Sequence, residues 1–300
     1  MTAATHDVEA GADRPRTLSE RILDRWPVKL VVLTLGIAWL VPSLGLLVSS
    51  FRTRTEINAS GWWTALVKLF ELRQWTLGNY EQVLSADGMS NAFLNSLAVA
   101  IPATVIPITV AAFAAYAFSW MEFRGRQVLF VIVVGLMVVP LQMALIPLLQ
   151  IYVDLDLAGT YLAVWLAHTG FGLPLAIYLL RNYIGSLPRS IIESAAIDGA
   201  SHFATFFRLV VPLSVPAIAS FAIFQFLWVW NDLLVALVFL GGTPDVAVVT
   251  QRLTELVGSR GQDWHVLTAG AFITMVLPLA VFFSLQRYFV RGLTAGSVKG

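Results

Sequence analysis

The sequence predicts an all-α integral membrane protein with six transmembrane helices, and three observations carry that prediction. Hydrophobic residues make up 58% of the chain and charged residues only 12%, against about 25% charged in a soluble domain. Six stretches, near 28–50, 92–118, 127–151, 158–180, 211–240 and 264–290, reach the length needed to cross a membrane. A hydrocarbon core of roughly 30 Å takes about 20 helical residues. The apolar runs do not alternate with period two, which argues against strands. A mean hydropathy of +0.77 agrees with lipid as the solvent.

Taken in order, residues 1–27 read as a polar cytoplasmic tail, with helical character in residues 18–26. The first span, from Val28 through Trp39 to Ser50, is too long for a signal-peptide core and is read as a retained anchor. Residues 51–91 form a long outer loop, and its Trp62, Trp63 and Trp75 suit the membrane interface. Prolines interrupt most of the later spans: Pro102 and Pro107, Pro140 and Pro147, Pro174, Pro212 and Pro216. Each would cost about 3 kcal/mol inside a soluble helix, but neighbouring helices of a bundle can satisfy the carbonyls that proline frees. Residues 181–210 and 241–263 are the other long connections, and 292–300 is a short tail. No internal repeat stands out.

Orientation follows the Lys and Arg distribution. With the N-terminus inside, the inner segments carry thirteen Lys and Arg residues, among them Arg124, Arg126, Arg181, Arg189 and Arg208. The outer segments carry six: Arg52, Arg54, Lys68, Arg73, Arg252 and Arg260. The short loop at 151–157 holds Asp154 and Asp156 and no base, so it belongs outside. Both termini are therefore expected in the cytoplasm, the chain being a multi-pass protein of a bacterial cell membrane.

Several function classes are excluded. A net charge of +1 gives no basis for nucleic-acid binding. With no cysteine there are no disulfides or thiolate metal sites. His6, His168, His202 and His265 are scattered and make no metal cluster. No phosphate loop, no H-E-x-x-H and no nucleophile elbow is present. Asp232 is the clear intramembrane carboxylate, with His168 a second ionisable group, and neither has an evident partner. The chain is thus not expected to be an enzyme, and energy for uphill movement must enter from elsewhere.

The strongest local signal is residues 186–212. Pro188 suits a first helical turn, and Ile191, Ile192, Ala195 and Ala196 form an apolar side from which Arg189 and Glu193 face away. Gly199 can take the left-handed conformation that ends a helix. Ser201 can cap the next one, which runs through Phe203, Phe206 and Phe207. Two short helices on the cytoplasmic face follow; a surface helix resting on the lipid is the plainer alternative.

The segment Glu193-Ser194-Ala195, then Asp198-Gly199, then Leu209-Val210-Val211-Pro212 resembles the EAA loop of the membrane subunits of binding-protein-dependent ABC importers. Ser194 departs from the usual alanine. The resemblance extends over about 80–300. Gly78-Asn79-Tyr80, Asn95-Ser96 and Trp230-Asn231-Asp232-Leu233 look like the carbohydrate branch, and the tail 291–300 is similar to the maltose-type permease without a large outer domain. Segments 139–147 and 167–174 look closest to α-glucoside permeases. The resemblance implies a type I ABC importer permease fold, with 28–291 as the membrane domain. In it Glu193, Ser194, Ala195, Asp198, Gly199 and Pro212 couple to the ATPase, and Gly292, Gly296 and Lys299 of the tail also reach it. It implies a heterodimer with a second permease, two ATPase subunits that bind ATP and Mg, and an extracytoplasmic sugar-binding protein. No cofactor belongs to this chain.

A sugar pathway needs aromatic faces and polar side chains. Gln225, Trp228 and Asp232 fall at i, i+3 and i+7, on one face of a continuous fifth span, with Asn231 beside them. Gln142, Asn95 and His168 are further candidates. Hydrogen bonding between helices is the competing role for Asn231 and Asp232. The rival function, a self-sufficient secondary transporter or channel for a small polar solute, would require paired membrane charges and repeat symmetry.

Overall fold

The structure, a computed structural model, describes residues 26–85, 88–256 and 263–295, with backbone alone beyond residue 286. Residues 18–25, where the tail was expected to turn helical, lie outside the described residues. The elements are α1 (Trp26–Ser50), α2 (Arg54–Ala59), α3 (Trp62–Val67), α4 (Gly78–Ser85), α5 (Met89–Trp120), α6 (Arg126–Gly135) and α7 (Leu141–Asp154). After these come α8 (Tyr161–Gly185), α9 (Arg189–Ile197), α10 (His202–Thr205), α11 (Val211–Trp230), α12 (Leu234–Leu240), α13 (Val249–Glu255) and α14 (Trp264–Ala295). Among the described residues the only β-type pairing is an isolated bridge between Arg52 and Trp75.

Among the described residues five helices are long and apolar enough to cross a membrane: α1, α5, α8, the run His202–Trp230 and α14. The third expected span, 127–151, is not one helix. Arg126–Val138 and Leu141–Asp154 meet at a bend of 101°. Pro140 explains the break, because the residue before a proline is pushed out of the helical region. Val139 accordingly sits at φ −70°, ψ 118°. The fifth span differs as well. It begins earlier than expected, at His202, and stops at Trp230, with α12 a separate helix.

The bundle has two buried clusters. One lies between the far halves of α5, α8, α11 and α14 and contains Val99, Val164, Phe226, Trp230 and Val266. The other lies at the coupling-loop end and contains Ala111, Tyr116, Ile177, Leu180 and Phe206. Buried Ala100, Ala103, Ala111 and Ala115 on α5 face buried Ala163, Ala167 and Ala176 on α8. Small residues let two backbones approach closely where lipid offers no hydrophobic drive for helix pairing.

The prolines show how this packing is fixed. Pro102 has no N–H for the carbonyl of Ala98 one turn back, and Trp165 Nε1 of α8 donates to it at 3.0 Å. Pro107 frees the carbonyl of Ala103, which accepts from Gln225 Nε2 of α11 at 3.1 Å. Pro278 in α14 frees Thr274, which accepts from Trp230 Nε1 at 3.0 Å. Three openings made by proline in two helices, α5 and α14, are each closed by a side-chain N–H from another helix, as a membrane interior requires.

This arrangement makes a coupled prediction. Trp165→Phe leaves the Ala98 carbonyl unpaired and should destabilise the protein by about 1–3 kcal/mol. Pro102→Ala restores an N–H beneath that carbonyl, so the double variant should recover most of the loss. Thermal unfolding of the detergent-solubilised protein across the double-mutant cycle measures this, and strictly additive effects would refute the pairing.

Candidate functional site

Two regions stand out. The first is the helical knob between α8 and α11. α9 ends in a Schellman turn: Ala200 N–H donates to Ala195 O at 2.9 Å and Gly199 N–H to Ala196 O at 3.1 Å. Gly199 sits at φ +75°, and a Cβ built there meets nothing within 4 Å. Ser201 Oγ accepts from Ala204 N–H at 3.3 Å and starts α10. A π-helical turn, Phe206–Val210, then leads into α11, with Val211 N–H bonded five residues back to Phe206 O. Pro212 follows and supplies no N–H to the turn before it, which suits the wider winding.

The knob's apolar faces differ from the sequence reading. Ala195 is buried and Ile192 packs against the coupling-end cluster, so this side holds α9 to its own bundle. Ala196 points outward with Ser194 and Asp198, Ile197 is 85% exposed, and Phe203 and Phe207 are exposed too. Glu193 is exposed and pairs with Arg189 at 2.8 Å. On the inner side Phe113 of α5 stacks on Phe206 with centroids 4.5 Å apart and meets Phe207 edge-on at 5.9 Å. Tyr116 Oη lies 3.0 Å from His202 Nδ1. The knob is therefore bolted to α5 and continuous with α11. Gly292 falls on the described backbone of α14, while Gly296 and Lys299 lie outside the described residues.

The second region is a groove of about 240 Å³ among α8, α11 and the turn after α6, lined by Met137, Phe171, Gly172, Leu175, Phe224, Gln225 and Trp228. Gln225 is 0% exposed because its amide is drawn inward to Ala103 O and, at 3.4 Å, to His168 O. Its Oε1 has no hydrogen-bond partner among the described residues. Gly172 permits this approach, since a Cβ there would stand 2.8 Å from the Gln225 amide. Trp228 is half-buried, and the His168 ring meets it edge-on at 5.1 Å.

Asp232 does not continue the helix face of Gln225 and Trp228, because α11 ends at Trp230 with Asn231 as its C-cap. The carboxylate turns instead to the start of α12, accepting from Ala236 N–H at 3.1 Å. Thr250 Oγ1 donates to Asp232 O at 2.6 Å. The same carboxylate lies 3.8 Å from His168 Nε2, beside a cavity of about 10 Å³ that Ser96 also lines, roughly the space of one water. The two ionisable groups that the sequence left apart are thus neighbours, joined because the break after α11 turns Asp232 back towards α8. Asn231 is exposed and donates to Leu227 O at 2.7 Å.

The remaining candidates stand elsewhere. Asn95 ties α5 to the loop before α13, donating to Asp245 O at 2.8 Å and Ala247 O at 3.0 Å while accepting from Tyr161 Oη at 2.8 Å. Gln142 is exposed at the start of α7, away from the groove lining. Sequence reasoning passed over Phe171, Phe224 and Met137. Phe224, one turn before Trp228, was within reach of a helical-face argument; the other two join the groove only through packing.

Comparison with known proteins agrees with this geometry. Residues 84–295 match the family described as binding-protein-dependent transport system inner membrane component. The chain is 65% identical to the osmoprotective compounds uptake permease protein GgtD of Synechocystis sp., over 91% of this chain and 92% of that one. It is 48% identical to the alpha-glucoside transport system permease protein AglG of Rhizobium meliloti, over 92% and 97%. Its fold matches a chain of a bacterial ABC transporter that imports the acidic polysaccharide alginate, with a TM-score of 0.65 over 91% of this chain and 98% of that one, at 14% identity. A six-segment helical bundle with a knob bolted to it and a family match over most of its length leave one assignment: the chain belongs to the inner membrane permeases of binding-protein-dependent ABC importers.

Proposed function

We propose that this chain forms half of the translocation pathway of a carbohydrate importer and transmits the movement of cytoplasmic ATPase subunits through residues 189–212. The observation that carries the reading is the knob. It projects Ile197, Phe203 and Phe207 outward while Phe206 stacks on α5, so force applied outside is delivered to a helix of the core. Glu193, Ser194, Asp198 and Gly199 form the rim and turn of the docking element, Ala195 seats it, and Pro212 sets the π-helical turn that joins it to α11. A cleft in each ATPase receives the apolar tip. The C-terminal residues Gly292, Gly296 and Lys299 extend the same interface. ATP and Mg are held by those subunits, and a second permease supplies the facing half of the pathway.

The groove is the side that faces the substrate. Trp228, Phe224 and Phe171 offer rings for the C–H faces of a sugar, and Gln225 and the Asp232–His168 pair stand behind them as polar support. Its volume of about 240 Å³ falls short of the roughly 300–1,000 Å³ of a complete small-molecule pocket, which suits a half-site. Asn95 keeps the far end of the pathway in register. The AglG relative favours an α-glucoside of two or more units. The higher identity to GgtD supports a second reading, an osmoprotective compound. An extracytoplasmic binding protein delivers either one, and purified complex tested with both substrate classes separates them. Family membership sets aside a self-sufficient transporter.

Sidedness follows from the bundle. The turn at 121–125 and residues 181–213 occupy one end, where Trp120 Nε1 donates to Ile184 O at 3.1 Å. The loops before α8 and α13 occupy the other, where Gly159 N–H reaches Phe239 O at 2.7 Å. With the knob in the cytoplasm both termini are cytoplasmic. A cysteine at Ser201 in this cysteine-free chain should resist an impermeant thiol reagent in intact cells and react in inside-out vesicles. Labelling in intact cells would reverse the orientation.

Gly199→Val tests the coupling. The substitution has open space and bears only the left-handed penalty of about 1–2 kcal/mol, so the subunit should still insert and pair. ATPase activity of the reconstituted complex should no longer rise with loaded binding protein. If stimulation and transport persist, the knob does not couple.

Asp232→Asn keeps an acceptor for Ala236 N–H and removes the charge facing His168, whereas Asp232→Leu also removes the cap, at about 1 kcal/mol. Transport should fall in both, and complex yield only in Asp232→Leu. Trp228→Ala should weaken transport with assembly intact; unchanged transport would remove the groove from the pathway.

A further inference from the structure

The end of the bundle opposite the knob carries an apolar surface that neither the fold nor the transport reading uses. Between α3 and α4, Phe70 is 96% exposed and Val67 87%, with Trp63, Leu72 and Leu77 exposed beside them. With Leu66 and Leu69, seven large apolar side chains are exposed within fifteen residues of sequence, and such a patch does not stand in water without a reason. The segment is also rigidly built. Arg52, 1% exposed, staples its base by donating to Ser60 O at 3.0 Å, Gly61 O at 3.1 Å and Glu56 O at 2.9 Å. Asn79 Nδ2 donates to Ser50 O and Arg52 O at 2.9 and 2.8 Å, clamping the start of α4 to the end of α1.

Its depth can be read from α1. A Cβ on Gly45 would stand 2.8 Å from the Trp62 indole, so α3 rests against α1 at that level. Gly45 lies five residues before the helix end at Ser50, about 7 Å inside it at 1.5 Å per residue. The uncharged part of α1 from Leu30 to Ser49 is itself only about 30 Å long, the thickness of the hydrocarbon core. α3 therefore sits at the boundary between acyl chains and headgroups, not above it. Exposed Arg73 stands among the apolar residues and can reach phosphates from that depth, while exposed Lys68 pairs with Glu71 at 3.3 Å.

We infer that residues 61–77 are a lipid-seated collar, with Trp63, Val67, Phe70, Leu72 and Leu77 immersed in the leaflet opposite the knob. The occupant of this surface is phospholipid, and the collar fixes the height of α1 in the bilayer. The inference is independent of the substrate and of the coupling role.

The test uses the assembled complex in phospholipid nanodiscs, with bimane on single cysteines at Val67 and Phe70 and an aqueous reference at exposed Asp154. Lipids carrying a nitroxide near the headgroup should quench positions 67 and 70 about threefold more than position 154, and aqueous iodide should show the opposite order. Iodide quenching at 67 and 70 equal to that at 154 would place the segment in water and overturn the inference. Protection from both quenchers would overturn it too, by showing that a protein subunit covers the surface. Leu77→Cys repeats the measurement should Phe70→Cys fail to assemble.

Discussion

Every long helix of this protein must close its own backbone hydrogen bonds, because lipid supplies none. Prolines 102, 107 and 278 break that closure within α5 and α14. The carbonyls they free are met by Trp165, Gln225 and Trp230. Each donor comes from a different helix than its acceptor, so each repair is also a tertiary link. α5 is tied to α8 and α11, and α11 is tied to α14. These three prolines therefore tie particular helix pairs together, by creating acceptors that a neighbouring helix meets.

The same constraint shapes the groove. Gln225 is held inward by the Ala103 carbonyl and cannot turn towards the open face. Its neighbour Trp228, one turn on, is left to line the surface. The backbone break after Trp230 would expose the first N–H groups of α12, and the Asp232 carboxylate covers one of them. A charge in the membrane is costly, yet here it does local work, and His168 at 3.8 Å shares its surroundings. Structural repair and polar character for a pathway come from the same side chains.

The knob illustrates a different balance. The turn at Gly199 is closed by backbone hydrogen bonds, which leaves Ile197 exposed beside it. Phe206 and Phe113 hold it to α5, and the π-helical turn before Pro212 joins it to α11. Motion at Ile197 or Phe203 thus reaches the two helices that carry the proline-freed carbonyl of Ala103 and its donor Gln225. The knob and the groove are joined through the π-helical turn and α11.

The sequence alone determined the class of this protein. Composition and length require membrane spans, and Gly199, Ser201 and Pro212 mark a two-helix knob, because each is local chemistry. It also anticipated that neighbouring helices would answer the prolines. Only the tertiary structure decided which side chains do so. It alone showed that the segment around Pro140 bends by 101°, that the fifth span stops at Trp230, and that Asp232 meets His168. Ile192 and Ala195 could be recognised as an apolar face, but not as one that packs inward, leaving Ile197 outside. Helical periodicity tells which residues share a face; the direction of that face, and the place where a helix breaks, depend on contacts with residues distant in the chain.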